Sequence, residues 1–136
     1  MEKNLLLKLV KKHGSPLHII DHKIIRENYR RFKRSLPRAQ AYYAVKANSD
    51  PEIIKTLFNE GSSFDVASYN EFIEVYGLID KWREKKKEFF IWDKIIFSNT
   101  IKDRDTLKKI NKYKPLVTYD NIEELKKIGQ FCRKAG

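Results

Sequence analysis

Tyr42-Tyr43-Ala44-Val45-Lys46-Ala47-Asn48 is the stretch on which the fold turns. Its apolar part is too short for a helix and lies between Pro37 and the pair Asp50-Pro51, so residues 41–45 read as a buried strand. Strand alternation sets Tyr42, Ala44 and Lys46 on one face, with Tyr43 and Val45 on the other. A lysine thus stands at the carboxyl end of a strand, beside a small residue that leaves room for a flat ligand. Parallel sheets and barrels assemble their ligand sites at that end, where loops and helix N-termini converge. An ammonium held among apolar groups is costly, burial lowers an amine's pKa, and a neutral amine attacks a carbonyl to form a Schiff base. By composition alone the commoner outcome for a lysine in so basic a chain is to snorkel into the following turn.

Working outward, the same alternation of periods recurs. Downstream, Asp50 caps a helix that Pro51 opens, with Ile53, Ile54, Leu57 and Phe58 inward and Gly61 closing it. Phe64 to Ala67 is the next strand, and Ser68 with Glu71 forms a capping box for a helix burying Phe72, Ile73 and Tyr76. Ile95 to Phe97 and Leu116 to Tyr119 are two further strands. The first precedes a helix opened at Asp103 or Asp105 with Leu107 and Ile110 inward; the second precedes one capped by Asp120 with Ile122, Leu125 and Ile128 inward. Upstream, Asp21 caps a helix carrying Ile25, Tyr29, Phe32 and Leu36, Leu17 to Ile20 reads as a strand, and Leu5 to Val10 reads as a short amphipathic helix closed by Gly14 and packed on the body.

Four consecutive βα units argue for a parallel sheet. Residues 37–136 form one α/β unit after an N-terminal helix, strand and helix in 1–36. The interval between the second and third strands is the longest, which places an insertion near 79–94. Four units are too few to close a barrel, and the sequence reaches Gly136 where a helix is ending and another strand is due. The chain is therefore either a complete small sheet or the first half of something larger.

Composition narrows the function. A 41% apolar, 12% aromatic chain of 136 residues folds rather than staying disordered. The single cysteine, Cys132, makes no intramolecular disulfide and suits a reducing cytoplasm. No metal cluster, Gly-rich phosphate loop or acyl-transfer triad can be assembled from the residues and their spacing, and no stretch is apolar enough for a membrane span. The net charge of +11 invites a nucleic-acid reading centred on Lys81 to Lys87 with Trp82, Phe89, Phe90 and Trp92. Lysine is spread through the whole chain, however, so this segment reads instead as a solvated connector whose aromatics pack on the body. The polar strand ends add Asp65, Asn99 with Lys102, and Tyr119 with Asp120 to Lys46 as candidates.

Tyr43-Ala44-Val45-Lys46-Ala47-Asn48, then Gly61, Phe64-Asp65-Val66-Ala67-Ser68 and Glu71, resembles the start of the pyridoxal phosphate dependent ornithine, diaminopimelate and arginine decarboxylase family. The likeness extends to Pro16–Asn28, to Ile95-Ile96-Phe97-Ser98-Asn99-Thr100-Ile101-Lys102 and to Val117-Thr118-Tyr119-Asp120. It implies the first half of a TIM-type barrel of the alanine racemase and ornithine decarboxylase type, truncated before a C-terminal β domain that the strand at 17–20 would join. It implies pyridoxal 5′-phosphate as cofactor, Lys46 as the lysine that carries it as an internal imine, and Ala44, Asp65 and Glu71 lining the pocket. It also implies an amino-acid substrate and a homodimer for the full-length enzyme. Ser98 to Lys102 looks closer to ornithine and lysine decarboxylases, the enzymes of polyamine synthesis, than to the glycine-containing counterpart of diaminopimelate decarboxylases. The family's phosphate-binding glycine loop, pyridine-nitrogen acid, ring-stacking histidine and partner-subunit cysteine all fall beyond Gly136, so residues 1–136 by themselves are expected to be inactive. A non-catalytic homologue that binds a decarboxylase subunit is the alternative reading.

Overall fold

The computed structural model describes residues 3–132. Four strands, β1 (Tyr42–Ala44), β2 (Ser63–Val66), β3 (Ile95–Phe97) and β4 (Leu116–Val117), form one sheet, all parallel and in sequential order. Doubly wound sheets reverse their order at a switch point; an unreversed order is that of a barrel arc. Helices α3 (Pro51–Asn59), α4 (Tyr69–Gly77), α6 (Arg104–Ile110) and α7 (Ile122–Phe131) follow the four strands in turn, and α5 (Glu84–Lys94) is an extra helix between α4 and β3. Helices α1 (Lys3–His13) and α2 (His22–Ser35) precede the sheet.

The register aligns Tyr43 with Phe64, Phe64 with Ile95, Val66 with Phe97 and Phe97 with Val117. Phe64, Val66, Ile95 and Phe97 are buried in one core with Ile53, Ile54, Leu57, Phe72, Val75, Leu107 and Ile110 of the helices. Each such side chain contributes about 1.5–3 kcal/mol by leaving water. The opposite face carries Ala44, Asp65, Ile96 and Leu116 in one register row, and all four are only half-buried. This is the face that a closed barrel turns inward.

Helix starts follow side-chain chemistry. Asp21 accepts from the Lys23 amide at 2.9 Å, Asp50 from Glu52 at 2.9 Å, Ser68 from Glu71 at 3.2 Å and Asp103 from Thr106 at 2.8 Å. Gly61 leaves α3 at a φ of 82°, a conformation that favours glycine. Helix α2 is tied to α3 by a bidentate Arg30–Glu60 pair, at 2.6 and 2.7 Å, and by His22 Nδ1 against Thr56 Oγ1 at 2.8 Å.

Several elements differ from the sequence reading. Leu17 to Ile20 forms no strand, because a strand needs a partner and none of the described residues pairs with it. Helix α1 buries none of its residues fully, and Leu5, Leu6 and Val10 are exposed rather than packed on the body as expected. Phe32 and Leu36 of α2 are likewise exposed. In α4 Val75 is buried while Ile73 lies at the surface. Helix α7 is capped by Asn121, which accepts from the Glu124 amide at 2.8 Å, rather than by Asp120. Its buried position is Glu124, and Ile122 is 60% exposed. In the 79–94 segment Trp82 and Phe90 pack on Phe58, with ring centroids 5.8 and 5.5 Å away, as expected of a connector, whereas Phe89 and Trp92 face solvent. The helix end expected at Gly136 lies outside the described residues.

Candidate functional site

Strand β1 ends at Ala44, one residue earlier than expected, and Val45–Ala47 turns in a single 3₁₀ turn. Val45 is fully buried and anchors the turn, and the Tyr43 hydroxyl closes it by donating to the Asn48 carbonyl at 2.9 Å. Burial raises the Tyr43 phenol's pKa, so it stays a donor. Between these anchors Lys46 projects at the carboxyl end of the sheet. Its side chain is exposed, and no described residue gives it a hydrogen bond or ion pair. The burial that the sequence argument invoked for this amine is therefore not supplied by the described residues.

Asp65 stands opposite Ala44 in the β1–β2 register and faces the same uncovered side. One carboxylate oxygen, Oδ1, accepts a hydrogen bond from the Ser98 hydroxyl at the end of β3. Glu71 reaches back over the β2–α4 turn, where its Oε2 accepts the Ala67 amide at 2.8 Å while its own amide bonds to Ser68. This is the reciprocal box expected from Ser68 and Glu71, displaced by one residue on the return bond. Ala44 and Asp65 are thus set side by side on one face, Lys46 follows in the turn at the same end of the sheet, and Glu71 shapes the turn after Asp65.

A second lysine occupies the same end, two strands away. Lys102 is 1% exposed, and its Nζ donates to the carbonyls of Asn99 and Thr118, the latter at 2.6 Å. Its backbone amide donates to Glu124 Oε1 at 2.9 Å, and its Nζ lies 3.9 Å from the same carboxylate. Burial lowers the Lys102 pKa, against the pull of Glu124 and Asp120. Burial also pushes the Glu124 carboxyl up, but bonds from Lys127 and from the Lys102 amide outweigh it and hold the group below its usual range. This clamp joins the β3–α6 and β4–α7 loops. The sequence reading placed Lys102 at a strand end without a role; a signal existed in its spacing from Glu124, which only the parallel β3–β4 pairing turns into proximity.

An apolar cavity of about 460 Å³ lies at the opposite end of β1, lined by Ile25, Tyr29, Phe32, Tyr42 and Leu57 among others. Neither Lys46 nor Asp65 borders it, and its volume is no guide to the chemistry, since parallel-sheet enzymes react at the carboxyl end. The group at that end comprises an accessible amine, a small neighbour and a carboxylate with an unengaged oxygen. Such a set suits an aldehyde that condenses with the amine, the carboxylate being available to balance the charge on the lysine nitrogen. Its chemistry fits pyridoxal phosphate.

Residues 22–136 match the family model described as pyridoxal-dependent decarboxylase, pyridoxal binding domain. The chain is 33% identical over 124 residues to the lysine/ornithine decarboxylase of Selenomonas ruminantium, covering 90% of this chain and 29% of that protein. A shorter match, 41% over 69 residues, joins it to the diaminopimelate decarboxylase of Methanothermobacter thermautotrophicus, covering 48% of this chain and 16% of that protein. In structure it is similar to the lysine/ornithine decarboxylase of Vibrio vulnificus complexed with putrescine, with a TM-score of 0.80 and 28% identity, covering 97% of this chain and 34% of that one. The chain thus spans about a third of the length of such relatives or less. On the family match, the order of the sheet and the arc it forms, this chain belongs to the pyridoxal-dependent decarboxylases, in the pyridoxal-binding barrel.

Proposed function

We propose that this chain carries the lysine-bearing part of a pyridoxal 5′-phosphate dependent decarboxylase acting on a basic amino acid, ornithine or lysine ahead of diaminopimelate. One observation carries the reading: Lys46 stands accessible, and unpaired among the described residues, at the carboxyl end of β1, two residues past Ala44, whose register partner is Asp65. In the proposed site Lys46 holds the cofactor, Ala44 leaves space for its ring, Asp65 supplies a carboxylate to a cationic nitrogen, and Glu71 fixes the turn that follows Asp65. The cofactor, when bound, supplies the electron sink into which the bond to carbon dioxide breaks. The protein's task is to orient that bond and keep water from it.

Ornithine or lysine rests on the two lysine/ornithine decarboxylases, which match nine-tenths or more of this chain, against the half covered by the diaminopimelate enzyme. The further expectations of polyamine synthesis, a cytoplasmic location and a homodimer attach to the full-length protein and rest on the family resemblance. So does the division at residue 36, after which the barrel units begin. Turnover belongs in this reading to a protein of the relatives' length, not to residues 1–136 alone.

The test is site-selective capture. The chain is incubated with pyridoxal 5′-phosphate, reduced with borohydride and mapped by mass spectrometry. Label concentrated at Lys46 and lost in Lys46→Ala supports the reading; label spread evenly over the lysines sinks it. Release of carbon dioxide from labelled ornithine, lysine and diaminopimelate by the full-length protein then ranks the substrates.

A further inference from the structure

We infer that Ser98 is a positioning residue of the site, holding the Asp65 carboxylate in the orientation in which one oxygen remains free for a cation. The inference rests on the reading of Asp65 as a cofactor-side group. The strand register brings Ser98 to Asp65. Val66 pairs with Phe97 and Asp65 with Ile96, and the ladder runs one step further, since the Ser98 amide donates to the Val66 carbonyl at 3.1 Å. Ser98 therefore lies two residues beyond Ile96 on the same face of the sheet, diagonal to Asp65. A diagonal neighbour is within reach of a short side chain only when the backbone is held in register, and here it is.

The Ser98 hydroxyl donates to Asp65 Oδ1, while Oδ2 receives no hydrogen bond among the described residues. A carboxylate free to rotate presents its two oxygens interchangeably. One whose Oδ1 is engaged presents Oδ2 in a fixed direction, across the row that Ala44 shares. The bond is charge-assisted and lies on the half-buried face, where such bonds are stronger than in water. Alanine at 98 would keep the strand and remove only the donor. Threonine would keep both.

Two measurements on the 136-residue chain test this, using wild type, Ser98→Ala, Ser98→Thr and Lys46→Ala, with thermal unfolding confirming that each is folded. Three-bond couplings at the Asp65 β-protons report its side-chain rotamer without any cofactor. A single rotamer is expected in wild type and Ser98→Thr, and an averaged one in Ser98→Ala. Titration with pyridoxal 5′-phosphate, followed by absorbance, is expected to weaken about tenfold in Ser98→Ala and to recover in Ser98→Thr. An Asp65 rotamer unchanged in Ser98→Ala overturns the inference, whether or not binding weakens. Titration of wild type that Lys46→Ala reproduces overturns the cofactor reading instead, and the couplings still decide whether Ser98 orients Asp65.

Discussion

Two lysines stand at the carboxyl end of the same sheet, and they are opposites. Lys46, past β1, is exposed and without a partner among the described residues; Lys102, past β3, is 1% exposed and bonded to two carbonyls and a carboxylate. The buried cation is the structural one. Two of its three N–H donors bind carbonyls of two loops and its buried charge is paired with Glu124, so it is committed to the fold, whereas the accessible amine at the other end of the arc is free to react. Burial alone is therefore a poor sign of function in this chain; an unspent donor in a held position is the better one.

The largest expected effect falls on Lys102. Replacing it by methionine leaves the buried Asn99 and Thr118 carbonyls without their donor and Glu124 with Lys127 alone, which should cost about 3–5 kcal/mol in a denaturant melt. Lys46→Ala should stay within about 0.5 kcal/mol of wild type, as for a surface site without packing partners. Equal losses at the two positions would abolish the distinction between them.

Next comes Glu124. Its carboxyl is held below the usual range, so the folded chain resists protonating it. For such a group the stabilisation is complete above the unfolded-state pKa and disappears as pH falls through the lower folded-state pKa. Glu124→Gln should cost about 1.5–3 kcal/mol near neutrality, and should flatten the fall in stability on acidification. A variant whose acid limb still parallels wild type would mean that other carboxylates set that limb. Lys102 carries the opposite sign: with its pKa lowered, stability rises with pH between the folded and unfolded values, and Lys102→Met should remove that alkaline gain.

The same contrast shows what was legible before the structure. The alternation of four strands with α3, α4, α6 and α7, the parallel pairing and the caps at Asp21, Asp50, Ser68 and Asp103 follow from local chemistry and period, and they stand, while Ala44 and Asp65 lie side by side in the register. What failed depended on partners distant in sequence. Apolar period alone turns Ile122 and Leu125 of α7 inward, but Glu124 is drawn to the buried Lys102 amide and ammonium, and that bond sets the helix face. Ile73 and Val75 both fit an inward stripe, and packing chose Val75. Ser98 gave no motif of its own, since its meaning arises only when β3 is set beside β2 in register.

The α7 cap sharpens this on a smaller scale. Asn121 accepts the Glu124 amide, so Asn121→Ala should lose about 1 kcal/mol. Asp120, which the sequence nominated, accepts from the Asn121 side chain at 2.8 Å and should matter less. Reversal of the two in thermal unfolding would return the cap, and with it the helix face, to the sequence reading.

The smallest effect is expected at Ile122, and it tests whether the start of α7 is solvated in the isolated chain. Ile122 is 60% exposed on the helix that follows β4, the last strand of the sheet, and β4 pairs only with β3 among the described residues. A side chain in water contributes little, so Ile122→Ser should shift stability by no more than about 0.5 kcal/mol. The expectation is independent of protein concentration, because an exposed site has the same surroundings in dilute and concentrated samples. A loss well above this, growing as the chain is concentrated, would show that copies of the chain cover α7 in solution, since burial by a partner stabilises by mass action while intrachain packing does not. That outcome would move the boundary between the settled and the uncovered parts of the arc from β4 to the surface of α7, leaving the contrast between Lys46 and Lys102 to be measured inside an assembly.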